Sequence, residues 1–163
     1  MKHFLALVTF SLLTYHQSLG QCLTVQGMRS MFFKNMDAQD KYMTAKGFEL
    51  IDGEDGKGYI WARTNKRLGR VSADIDENGK VWQVDYHPPG VACFTAIKSE
   101  IATLSLKKDA QYFKEDIIYY FYSGPSYGVE LYRTTNAYGT AYYVAVLRKA
   151  EYQKEMERVK SEE

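Results

Sequence analysis

Histidine is scarce in this chain of 163 residues: there are three, and His3 and His16 both fall within the first twenty positions. His87 is the one beyond them, so a multi-histidine metal site is excluded and any hydrolase triad has to be built on His87. Cysteine is limited to Cys22 and Cys93. An excess charge of either sign is also missing, with 21 Lys+Arg against 20 Asp+Glu and a net charge of +1. That balance leaves no electrostatic footprint for nucleic acid or an anionic membrane. Past Leu13 no apolar run approaches the ~20 residues that a transmembrane helix needs. What the chain does have is apolar and aromatic mass, 45% and 15%, which rules out disorder and supports one compact domain.

The first twenty residues read as an export leader. Lys2 supplies a basic start, Phe4 to Leu13 an apolar run, and Ser18-Leu19-Gly20 a small-x-small cleavage pattern. The domain plan is then a signal peptide at 1–20, a single domain at 21–149 and a charged C-terminal tail at 150–163. Removing the leader takes Lys2 and leaves 20 basic against 20 acidic groups. A secreted or periplasmic location follows. A lipoprotein signal wants a small residue before its cysteine, where this chain has Gln21. In an oxidising compartment Cys22 and Cys93 are candidates for a disulfide. Two free thiols, one near the N-terminus and one buried, fit the sequence as well.

Leu23 to Lys46 has helical spacing in two pieces, with Met28, Met31, Phe32 and Met36 on one stripe. Asp37 is placed to cap the second piece, in which Ala38, Tyr42 and Ala45 share a face, and Gly47 stops it. Residues 52–58 (DGEDGKG) are a loop by composition. Strands are expected over 59–64, 70–75 and 80–86. His87-Pro88-Pro89-Gly90 breaks the chain, and Val91, Phe94, Ile97, Ile101 and Leu104 then mark one helical face. Lys107-Lys108-Asp109 ends that helix, and strands resume over 116–122, 128–134 and 140–148. The tail is expected to form a short surface helix with Tyr152, Met156 and Val159 on a weak stripe. The fold class is therefore α+β: two tandem helix-plus-three-strand repeats, 21–87 and 88–149, form an antiparallel sheet with the helices on one face.

Strand faces carry the functional expectation. In the first repeat Ile60, Ala62, Val71, Ala73, Ile75, Trp82, Val84 and Tyr86 should face the helices, because a sheet covered on one side alternates. The second repeat has no polar face in Ile117–Tyr122 or Tyr142–Leu147. If Ile117, Tyr119, Phe121, Val144 and Val146 point inward, then Tyr120, Tyr122, Tyr132 and Tyr143 join Tyr59 and Trp61 on an open aromatic face. Such a face suits a protein or peptide partner. The competing reading has the tail helix or a loop covering these tyrosines as a second layer of core.

Asp74 to Asp85 fits the calcium-loop template at Asp74, Asp76 and Asn78, with Asp85 at the twelfth position where Glu is usual. Both flanks read as strands, so Asp76-Glu77-Asn78-Gly79 is taken as a hairpin turn and calcium as the alternative. The glycines of 53–58 lack the strand-before, helix-after setting of a phosphate loop, and Glu115 and Asp116 as sequence neighbours do not make a glycosidase dyad. No catalytic residue and no cofactor is assigned.

Two helix-plus-sheet repeats in an exported chain resemble the β-lactamase inhibitor proteins, whose repeats present a concave aromatic sheet to an enzyme. The Lys46-Gly47-Phe48-Glu49 step after the first helix is similar to one in small envelope proteins of Gram-negative bacteria. The resemblance spans roughly Leu23 to Lys149. It implies a non-catalytic binding role and transfers no functional residue, and two cysteines cannot form the two disulfides of the inhibitors. The expected function is an exported module that binds a protein or peptide through Tyr59, Trp61, Tyr120, Tyr122, Tyr132 and Tyr143. The alternatives are an envelope protein for a small ligand or calcium, and a hydrolase around His87.

Overall fold

A computed structural model describes residues 22–54, 58–62 and 69–162. The expected leader, Arg63 and Thr64 lie outside these residues. Among the described residues the helices are α1 (Val25–Ser30), α2 (Met36–Ala45), α3 (Val91–Thr103) and α4 (Lys149–Ser161). The strands are β1 (Glu49–Glu54), β2 (Gly58–Ala62), β3 (Arg70–Ile75), β4 (Val81–His87), β5 (Lys107–Lys114), β6 (Ile117–Ser123), β7 (Tyr127–Asn136) and β8 (Gly139–Arg148). All eight join one sheet in the order β1-β2-β3-β4-β8-β7-β6-β5, antiparallel throughout. The fold is α+β. Each half supplies a four-stranded meander, where three strands were expected, and the two meet at the β4–β8 seam.

The N-terminal helical segment divides where a 3-10 turn, Met31–Phe33, follows α1. The cap of α2 is Asn35, not Asp37: its side chain accepts from the Ala38 amide at 3.0 Å, leaving Asp37 in the first turn. The buried face of α2 is Gln39 and Met43 rather than Ala38 and Ala45. Gly47 then ends the helix at φ +80, a conformation that costs glycine little.

Helices α1 to α3 cover the first face of the sheet. Met28, Met43, Phe94, Ile97 and Ile101 of these helices, with Met31 of the 3-10 turn, pack with Val71, Ala73, Val84, Tyr86, Val129, Leu131, Val144 and Val146. Cys22 and Cys93 form a disulfide with Cα atoms 5.5 Å apart, tying the start of α1 to α3. Glu100 of α3 reinforces the junction by accepting from the Val25 and Gln26 amides at 2.7 and 3.1 Å.

The expected one-sided cover is corrected by α4, which lies on the opposite face. Tyr152 and Val159 are buried there against Tyr119, Phe121, Ala145 and Leu147. Strands β6 to β8 are therefore covered on both faces, which is why Ile117–Tyr122 and Tyr142–Leu147 show no polar alternation. The register of β2 is also the reverse of the expected one. Trp61 pairs with Val71 and is fully buried on the first face, while Ile60 and Ala62 turn to the second with Ser72 and Arg70. The Trp61 indole donates to Asp40 of α2 at 3.1 Å, so its large ring packs in the core and its polar edge stays bonded. Trp82 turns to the second face as well, next to an irregularity that leaves Val81 in the first core.

Candidate functional site

The six expected anchors do not share a face. Trp61 is core, with Tyr59 tilted beside it at 6.0 Å. Tyr120 and Tyr122 also lie on the first face, half-buried against its core, with the Lys98 and Lys108 amines 4.9 and 5.5 Å from the Tyr120 ring. The cause is β6, whose Tyr119 and Phe121 take the second face beneath α4 and turn their neighbours to the first. Tyr132 and Tyr143 are the anchors on the second face, stacked at 4.3 Å and 11°.

That stack belongs to a row of rings crossing the second face. His87 packs edge-on against Tyr143 at 4.4 Å, and Tyr119 lies 5.3 Å from Tyr132 on the other side. Beyond His87 the row continues to its strand partner Arg70. Next to it runs a polar row, Ser72, Asp85, Ala145, Glu130 and Phe121, set by consecutive strand pairings. Helix α4 covers the β6–β8 end and reaches Trp82 of β4, and among the described residues no helix packs over the second face of β2 and β3. There a cavity of about 330 Å³ is lined by Asp52, Ile60, Arg70, Ser72 and Asp74.

Two carboxyl groups flank Ala145 in the polar row. Glu130 is 4% exposed, and burial followed by the nearby Glu155 and Asp85 charges pushes its pKa up to about 8, with Arg158 opposing. Asp85 is pushed up to about 6, mainly by burial, although the Gln83 amide donates to both its oxygens at 3.0 and 2.8 Å. Burial also raises Asp74, and burial with the Arg70 charge lowers His87. At neutral pH Glu130 therefore keeps its proton, while Asp85 is charged and His87 neutral. The backbones of Asp85 and Glu130 are two strand spacings apart, about 10 Å. Glu130 was missed in the sequence, where its one signal is a lone acid between Val129 and Leu131.

The calcium-loop residues are not brought together. Asp76 accepts from the Asn78 and Lys80 amides, both at 2.9 Å, as the cap of a hairpin turn. Asp74 and Asp85 stand on strands behind it. Among the described residues no group of three or more His, Cys, Asp or Glu could hold a metal ion. No helix among them is long and apolar enough to cross a membrane.

No family model matches the chain, and no curated protein matches it. Among solved structures it is similar to a DUF4309 family protein, YjgB, from Bacillus subtilis, at 13% identity and a TM-score of 0.44. That match covers 82% of this chain and 99% of the other. At that score the likeness carries no argument about the site, and nothing in the comparisons adds to the resemblance to β-lactamase inhibitor proteins.

Proposed function

We propose that this is an exported, non-catalytic binding module that takes a protein or peptide segment on the open end of its second sheet face. The observation that carries the reading is the half-covered face, where the His87–Tyr143–Tyr132 row leaves α4 and meets open polar strands. Among the described residues Asp52, Asp74 and Asp85 outnumber Arg70 there, and His87 is uncharged at neutral pH. The complementary partner is a segment with Lys or Arg next to an aromatic or apolar side chain. The Cys22–Cys93 disulfide agrees with export.

A titration of the 15N-labelled protein with a short peptide alternating Lys and Phe tests the site. Amide shifts should gather on Ser72, Asp74, Asp85, His87 and Tyr143, and Asp74→Asn with Tyr143→Ser should abolish them. Shifts spread over both faces, or none at millimolar peptide, would sink the proposal.

A further inference from the structure

We infer that a second site, a basic cleft with aromatic walls, binds a small organic anion with two or more negative charges beside an aromatic or apolar ring. The cleft measures about 660 Å³ and opens where β8 passes into α4. It lies on the helix side of the sheet, away from the open trough, and its existence does not depend on the binding role proposed for that trough.

Four cations reach it from four separate parts of the chain: Arg29 from α1, Lys34 from the α1–α2 junction, Lys80 from the β3–β4 hairpin and Arg148 from the end of β8. Among the described residues only Arg148 has a carboxylate partner, Asp76 at 3.8 Å. That carboxylate is already engaged by two turn amides. The other cations are held by rings or lie in the open. The Arg29 guanidinium sits 4.7 Å over the Tyr127 ring and donates at 3.5 Å to Ser126, and Lys34 lies 5.9 Å over Tyr42. Arg148 also lies 5.9 Å over Phe32. In a chain whose charges otherwise balance, this is a local convergence of four like charges against one nearby carboxylate among the described residues, Asp76, which the Arg148 and Lys80 charges share.

The walls define the rest of the ligand. Phe33 is 78% exposed at the cleft, next to the Phe32 and Tyr127 rings. An exposed phenyl beside guanidinium groups suits a planar body carrying its charge at one end, and Arg forks match phosphate and carboxylate alike. The volume lies within the ~300–1,000 Å³ usual for small-molecule sites, which favours a compact anion over a macromolecular segment.

Isothermal titration with protein made from the full chain, disulfide formed, decides the matter. The probes are 1-naphthyl phosphate, naphthalene-1,8-dicarboxylate, inorganic phosphate, 1-naphthol and a Glu/Phe hexapeptide. At least one naphthyl anion should bind one-to-one with Kd below about 1 mM. Whichever of the two binds tighter identifies the anionic group. Inorganic phosphate and 1-naphthol should each be at least about tenfold weaker, since each lacks half of the recognition. Arg29→Ala/Arg148→Ala should weaken binding at least about tenfold. Lys80→Glu, on an exposed turn, should weaken it at least about threefold with unchanged thermal stability. Unchanged affinity in both variants would overturn the proposal. So would a hexapeptide that binds when neither naphthyl anion does, or no binding by any probe.

Discussion

The ring of Tyr152 lies directly against the Cα of Gly128, and its hydroxyl donates to Asp109 at 2.8 Å. A Cβ at position 128 would overlap the ring, so α4 seats on β7 only because that position has no side chain. Asp109 stands at an irregularity in edge strand β5, and its bond ties the helix to the rim of the sheet. Gly128→Ala should cost about 2–4 kcal/mol in urea unfolding, and Tyr152→Phe about 1 kcal/mol. Alanine at 128 without measurable loss would mean that α4 does not rest there.

Stability should fall as pH rises from 5 to 8. The folded protein binds the Glu130 proton more tightly than the unfolded chain does, since burial raises its pKa from 4.5 to about 8. That contribution is fully present below about pH 4.5 and lost as pH climbs through 8. Asp85 acts in the same direction from 3.8 to about 6. Between pH 5 and 8 the combined effect is on the order of 5 kcal/mol, or roughly 15 °C in Tm. Glu130→Gln should flatten most of the slope and raise Tm at pH 8. A wild-type Tm that stays level between pH 5.5 and 8 would contradict the assignment.

The disulfide closes a loop of 71 residues. Chain-entropy reasoning makes it worth about 4 kcal/mol. Cys93→Ser, and wild type in a thiol reductant, should lose similar amounts in guanidinium unfolding. A reductant effect on the wild type with none from the substitution would point away from this pairing.

Aromatic truncations should rank by face. Trp61→Ala should cost about 3–5 kcal/mol, because the ring is fully buried and bonded to Asp40. Tyr143→Ser, at the half-buried end of the ring row, should cost no more than about 2 kcal/mol and act mainly on ligand binding. Equal costs, measured by calorimetry, would place the two in equivalent settings.

The strands that the sequence reveals are the inner ones, and the two it conceals are the edges. Strands β1 and β5 carry Asp52, Gly53, Lys107, Lys108 and Asp109, residues that protect an edge from further pairing and suppress the usual strand signal. Helix α4 was visible as a weak stripe at Tyr152, Met156 and Val159. Its docking on the sheet was one of the two readings the strand faces left open; what the sequence did not show is the notch that admits Tyr152, a glycine on a different element. The trough was legible only in part. Alternation places Arg70, Ser72, Gln83 and Asp85 outward, but the face of Trp61 turns on a one-residue register that alternation cannot fix where both candidates are apolar.

The β4–β8 seam also sets an order of assembly. Its pairs, from Tyr86↔Val144 to Gln83↔Leu147, join positions 58 to 64 residues apart, whereas every other neighbouring pair in the sheet is sequential. Hairpins close within microseconds, while contacts this distant must first overcome the entropy of the chain between them. The two meanders are therefore expected to form first as separate ribbons and to dock at the seam last.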